Sequence, residues 1–301
     1  MTPSSDRLVA TLVANPAAPA VTDAVVDSAA RALGHETERT VLARGIAADL
    51  LLPASADRNE AEAWLSAAIE GRPIDIIVQP LATRRKRLFL ADMDSTMIGQ
   101  ECIDELADYV GLKAEVSEIT ERAMRGEIAF EPALRERVAL LKGLPVGVVD
   151  EIVATRITLT PGGRELVRTM RAHGGYTALV SGGFTLFTGP ISAVIGFHEH
   201  RSNELLIEDG HFAGAVQEPI LGREAKLTAL AEFRKSLGLD RRETLAVGDG
   251  ANDLAMLGEA GLGVAFRAKP AVAAAAHARI DHADLTALLY AQGYRDDEIR
   301  S

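Results

Sequence analysis

Cysteine, basic charge and long apolar runs are all scarce in this sequence, and each shortage removes a class of function. Cys102 is the only cysteine among 301 residues, which excludes a disulfide framework and a cysteine-built zinc site. Such usage fits a reducing compartment, so the cytoplasm is the expected location. Basic residues number 32 against 43 acidic ones, and the net charge of -11 argues against partners such as nucleic acid or an anionic membrane. The one basic cluster, RRKR at 84–87, reads as a solvated linker in so acidic a chain. No stretch approaches the ~18 to 20 apolar residues of a membrane span. LVATLVA, cut short by Asn15 and Pro16, reads as a strand and not as the core of a signal peptide. Neither GxGxxG nor GxxxxGK[ST] occurs, so nucleotide-cradling loops have no support. The histidines at 198, 200, 277 and 282 lack metal-ligand spacing.

What is present is an ordinary globular composition, 48% hydrophobic and 25% charged, at a length that suggests about two domains. Residues 1–82 read as βαββαβ, a split layout that buries one sheet face under two helices. By element order this part resembles the ACT domain, an α+β module. That resemblance implies a regulatory or dimerisation unit and, with it, a homodimer. Residues 83–301 read as an α/β unit in which apolar strands alternate with helices, as in a parallel sheet covered on both faces. The first strand, LFLADMD, is followed by a helical block at about 100–155, placed to cap the strand ends.

Ligands of such sheets bind beyond the carboxyl ends of the strands. Three apolar runs end there in polar groups: Asp92 and Asp94 after LFLA, Ser181 with Gly182 and Gly183 after YTALV, and Asp249 and Asp253 after TLAVG. Two neighbouring acids closing a buried strand read either as an Asx turn or as a site that needs a cation. Hard carboxylate oxygens suit Mg²⁺ that also holds a phosphate. The Ser-Gly-Gly turn offers a hydroxyl and accessible backbone N–H groups to an anion. Lys226, early in a predicted helix, adds a fixed positive charge.

DMDST, LVSGG, Lys226 and VGDGAND resemble, in order and spacing, the four motifs of the haloacid dehalogenase superfamily over about residues 88–285. The resemblance implies a Rossmann-like parallel sheet with a helical cap. It implies Asp92 as the nucleophile and Asp94 as the acid and base. Asp92, the Asp94 carbonyl and Asp249 would hold the metal, with Asp253 acting through water and Asn252 orienting the cluster. In the cap, IGQECIDELA and RAMRGEIAFEPALRERVALLKGLP resemble phosphoserine phosphatases. Glu101 then matches the acid that takes a substrate ammonium and Arg137 the fork that takes its carboxylate. Met124 and Phe130 match the apolar residues that close over the substrate. The activity implied is Mg²⁺-dependent hydrolysis of O-phosphoserine, the last step of serine biosynthesis. A capped phosphatase for another small phosphomonoester is the alternative. A non-catalytic phospho-acceptor module is a more distant one, disfavoured by Asp94 and the cap.

Overall fold

In a computed structural model of the chain, residues 7–34, 37–53, 55–124 and 127–301 are described, without the side chains at 123 and 124. The βαββαβ order is present: β1 (Leu8–Ala14), α1 (Asp23–Ala32), β2 (Glu38–Ala43), β3 (Ala47–Leu51), α2 (Arg58–Ala68) and β4 (Ile74–Pro80). These strands form one antiparallel sheet in the order β2-β3-β1-β4. Thr22 and Asp57 open the two helices, each accepting a backbone N–H three residues on that the helix cannot satisfy itself.

Side chains alternate between the faces of each strand. Ala10, Leu12, Leu50 and Val78 pack with Val25, Ala29 and Leu65 of the two helices. Val13 and Ile77, of opposite parity, belong to a different cluster with Leu285, Leu288 and Leu289 from the far end of the chain. Helices therefore cover one face, as expected, but the second face is buried too. Polar residues on it are pinned individually. The Asp75 carboxylate accepts N–H groups of Asp281 (2.9 Å), His282 (3.1 Å) and Ala283 (2.8 Å), and Gln79 Nε2 donates to the Ala291 carbonyl (2.8 Å).

The basic cluster at 84–87 is not a solvated linker. Arg84 pairs with buried Asp49 at 2.6 Å, and Arg85 stacks 3.5 Å above the Tyr294 ring and reaches Glu298. Lys86 is buried and donates to the carbonyls of Thr83 and Arg242, and burial lowers its pKa to about 8. Arg87 meets Glu243. Each charge has a partner, and Arg84 makes its pair with the first sheet.

The second unit comprises β5 (Leu88–Ala91), α3 (Cys102–Tyr109), α4 (Lys113–Met124), α5 (Phe130–Ala139), α6 (Val148–Thr155), α7 (Gly163–Ala172), β6 (Tyr176–Phe184), α8 (Thr185–Ile195) and β7 (Glu199–Asn203). It continues through β8 (Leu205–Glu208), β9 (His211–Val216), α9 (Arg223–Ser236), β10 (Thr244–Gly248), α10 (Leu254–Glu259), β11 (Leu262–Phe266), α11 (Pro270–Ala275), β12 (Ala278–Ile280) and α12 (Ala287–Ala291). Six strands make a parallel sheet in the order β12-β11-β10-β5-β6-β7. Leu88, Leu90 and Ala246 pack on Leu230, Phe233 and Leu257 on one face, while Phe89, Val247 and Leu179 join Met97, Leu166 and Phe187 on the other. Helices α3–α6 are the expected cap between β5 and α7. The β8–β9 hairpin braces it through backbone bonds such as Gly143 N to Phe212 O, at 2.8 Å.

Asp75→Ala should destabilise the folded chain by on the order of 3 kcal/mol, because several backbone N–H groups lose their acceptor at ~1 to 3 kcal/mol each. Urea unfolding measures this as a lower midpoint at unchanged slope. A shift under about 0.5 kcal/mol would mean that water replaces the carboxylate and the junction is loose.

Candidate active site

Strands β5 and β10 are parallel neighbours, so their carboxyl ends place Asp92 and Asp249 side by side. Asp92 continues the ladder through its N–H to the Val247 carbonyl (3.0 Å), and its Oδ1 accepts the Met93 N–H at 2.7 Å. The chain then turns sharply. Asp94 is extended and Ser95 is left-handed (φ 55°), a conformation that costs a non-glycine residue of order 1 kcal/mol or more. The turn folds Asp94 back toward the start of α3, where its Oδ1 accepts the Cys102 N–H at 2.9 Å. Its Oδ2 faces the Ser181 hydroxyl at 3.3 Å.

The carboxylate oxygens of Asp92, Asp249 and Asp253 lie within 4.8 Å of one another, a cluster that could hold a metal ion. Three hard anionic donors at the meeting of two strand ends fit a divalent cation such as Mg²⁺. Asp253 is fully buried and its carboxyl occupies the space that a side chain at Gly248 would need. It was expected to act through water or from behind the direct ligands. Its Oδ1 touches Lys226 Nζ at 2.7 Å, and its Oδ2 accepts the Gly250 N–H. Asp94 lies outside this cluster, its carboxyl being taken up by Cys102 and Ser181. Thr96, buried and passed over in the sequence, donates to Asp249 at 3.2 Å.

Lys226 rises from the first turn of α9 and also meets Asp92 at 2.7 Å. Burial alone would disfavour its charge, but Asp253 and Asp92 outweigh that and hold its pKa above the ordinary value. Burial raises the pKa of Asp92, and the neighbouring Asp253 raises it further against the pull of Lys226. Burial likewise raises those of Asp94 and Asp249. One ammonium does not neutralise this many carboxylates, and the imbalance is what a bound cation would correct.

Gly183 donates its N–H to Ser181 Oγ at 2.9 Å and sits so close to Asp94 that a Cβ would fall 3.0 Å from its Oδ2. The cap reaches the same cleft. Phe130, the first residue of α5, lies against both Gly182 and Gly222. Glu101 precedes α3 and accepts from Ser95 Oγ at 2.7 Å. Its side chain keeps exposed area, yet desolvation by surrounding protein, then the charge of Asp94, push its pKa up to about 7. Arg137 is half-buried on α5, held by the Ala133 carbonyl (3.2 Å) and by Thr120 Oγ1 (3.3 Å), under the influence of Asp104 and Glu101. Asn252 stands in the turn that leads into Asp253. The side chain of Met124 lies outside the described residues.

Sequence and structure comparisons agree on the lineage. A family model described as haloacid dehalogenase-like hydrolase matches residues 89–258. The chain is 44% identical over 234 residues to a phosphoserine phosphatase of Archaeoglobus fulgidus, covering 77% of this chain and 68% of that one. It is 43% identical to the phosphoserine phosphatase of Streptomyces coelicolor, where the match spans only 57% of the relative's length. Among solved structures, a haloacid dehalogenase family hydrolase from Salmonella enterica serovar Typhi superposes with a TM-score of 0.84 at 28% identity, over 94% of this chain and 97% of that one. A phosphoserine phosphatase solved as a phospho-aspartyl intermediate analogue gives 0.64 at 40% identity, over 68% and 98%. The match at the DMDST turn, the glycine turn, the lysine and the acidic turn is thus part of a relationship that runs through most of the chain, which belongs to the haloacid dehalogenase-like hydrolases and, within them, to the phosphoserine phosphatase family.

Proposed function

We propose that the chain hydrolyses O-phosphoserine to serine and inorganic phosphate through a phosphoryl group carried on Asp92. The observation that supports this most is the pairing of Asp92 with Lys226 beside an Asp94 whose own carboxyl is held apart by Cys102 and Ser181. Asp92 attacks phosphorus and the bond from phosphorus to the serine oxygen breaks. Asp94 gives its proton to the departing alkoxide, then takes one from the water that attacks the acyl-phosphate and frees the Asp92 carboxylate. The raised pKa of Asp94 suits a proton donor, while Asp92, whose pKa burial and Asp253 also raise, depends on Lys226 and a bound cation to stay ionised as the nucleophile. Ser181, the Gly182–Gly183 backbone and Lys226 face the phosphoryl oxygens, with Asn252 orienting the rim. Mg²⁺ held by Asp92, the Asp94 carbonyl and Asp249, with Asp253 beside them, would neutralise developing charge on the phosphoryl group.

Glu101 takes the substrate ammonium and Arg137 its carboxylate, while Phe130 and Met124 close over it. Residues 1–82 are proposed as an ACT-like regulatory or dimerisation unit attached to a phosphatase unit of 83–301. A homodimer would pair at β2, the sheet edge remote from β12. The cytoplasm is the proposed compartment, and no helix among the described residues is long and apolar enough to cross a membrane.

Asp92→Asn should abolish phosphate release, and a chelator should do the same to the unmodified enzyme until Mg²⁺ is returned. Asp94→Asn should slow turnover by ~10² to 10⁴-fold. Turnover by a folded Asp92→Asn variant would exclude the phospho-enzyme route. Arg137→Ala should lower kcat/KM for phosphoserine by roughly 10- to 10⁴-fold, the loss of one or two charged hydrogen bonds, and leave phosphoethanolamine, which has no carboxylate, little changed. Arg137→Lys should recover only part, since a point charge lacks the planar fork. Equal losses on both substrates would assign Arg137 to the cap fold.

A further inference from the structure

Asn203 ends β7 and is almost fully buried, at 2% exposure. Its Nδ2 donates to the carbonyls of Gly182 (2.9 Å) and Leu221 (3.2 Å), and its Oδ1 accepts the Leu221 N–H at 2.6 Å. Both ends of this network border the cleft. The β6–β7 ladder runs as far as Val180 opposite Arg201 and resumes at Phe184 opposite Asn203, so β6 carries two more residues than β7 between those pairs. Residues 181–183 therefore bow out of the ladder, and a side chain must supply the partner that the ladder does not.

The Gly182 carbonyl and the Gly183 N–H belong to one planar trans peptide and point in opposite directions. Fixing the carbonyl on Asn203 aims the N–H the other way, where it meets Ser181 Oγ at 2.9 Å. Ser181 in turn addresses Asp94. On the other side, Leu221 immediately precedes Gly222, which opens α9, and the first turn of α9 delivers Lys226 to Asp92. No regular element lies between β9 and α9, so the two-point pairing of Asn203 with the Leu221 backbone sets where that helix begins.

We propose that Asn203 is a positioning residue for phosphoryl transfer, holding the Ser-Gly-Gly turn and the lysine-bearing helix in register across the cleft. The inference rests on the phosphatase reading above. Asn203→Asp tests it at constant shape: it keeps the acceptor for Leu221 and loses both donated bonds. Asn203→Ala loses all three. Displacement of the phosphate-facing groups by about 1 Å should lower kcat by roughly 10- to 100-fold. Inhibition by orthovanadate, which occupies the phosphoryl position, should weaken by a similar factor. Competitive inhibition by L-serine, which meets only the cap residues, should stay at the wild-type value. Wild-type kcat and orthovanadate inhibition in a folded Asn203→Asp variant would overturn the proposal. Equal weakening of orthovanadate and serine would overturn it too, as would loss of fold in both variants, because each assigns Asn203 to general stability. The same series run on p-nitrophenyl phosphate separates the two readings. A wild-type enzyme that turns over the aryl ester and ignores phosphoserine sinks the substrate assignment, while the kcat and orthovanadate effects of Asn203→Asp on the aryl ester still decide the positioning role.

Discussion

Lys226 lies buried with its ammonium 2.7 Å from the carboxylates of both Asp92 and Asp253, and much of the surrounding structure keeps that arrangement tolerable. Breaking a buried pair by removing one partner typically costs about 3 to 5 kcal/mol, because the other charge is left uncompensated. Strand β5 must therefore end where it does, β10 must end beside it, and α9 must start within reach of both. Glycine at 248 leaves room for the Asp253 carboxyl. The excess of carboxylates over the single lysine leaves the cleft unbalanced until a cation enters it. The site is biased electrostatically toward a cation.

The acidic cluster and the cap side chains are drawn from different parts of the chain. The acids and the lysine come from strand ends and one helix of the parallel sheet, rigid on both faces. Glu101, Phe130 and Arg137 come from the inserted segment, and Phe130 lies against the cleft. Phe130 touches the glycine turn and the residue that opens α9, so the cap meets both sides of the cleft. On the proposed roles, recognition could change in the cap while the groups on the sheet stay in place.

Much of this was legible in the sequence because the informative residues sit at the ends of apolar runs. A buried strand stopping on Asp92 and Asp94 has few bland explanations, and the glycine turn and acidic turn repeat the pattern. The cap was legible as a helical block, and the first sheet as βαββαβ. Strand β7 was missed because EHRSN is polar, as an edge strand only partly covered is free to be. Helix α12 was missed because ALLYA is buried all round and shows no period. For α7 the signal was there, in Leu166, Val167 and Met170 at helical spacing. The basic cluster misled for a different reason. Local composition says nothing about Asp49, Glu243 or Tyr294, the partners that fold brings to it.

The doubly covered first sheet constrains how such a chain could have been assembled or taken apart in evolution. Leu285, Leu288 and Leu289 are apolar because Val13 and Ile77 lie against them, and the backbone at 281–283 leaves its N–H groups bare because Asp75 accepts them. A lineage that lost the sheet would inherit a greasy, donor-rich scar near its C-terminus and would have to repaint it with polar residues. One that gained the sheet would need the reverse repainting before the graft could seat. The two halves are therefore not interchangeable parts, and a chimera joined at residue 83 should be designed with the sequence beyond 281 taken from the same parent as the first sheet.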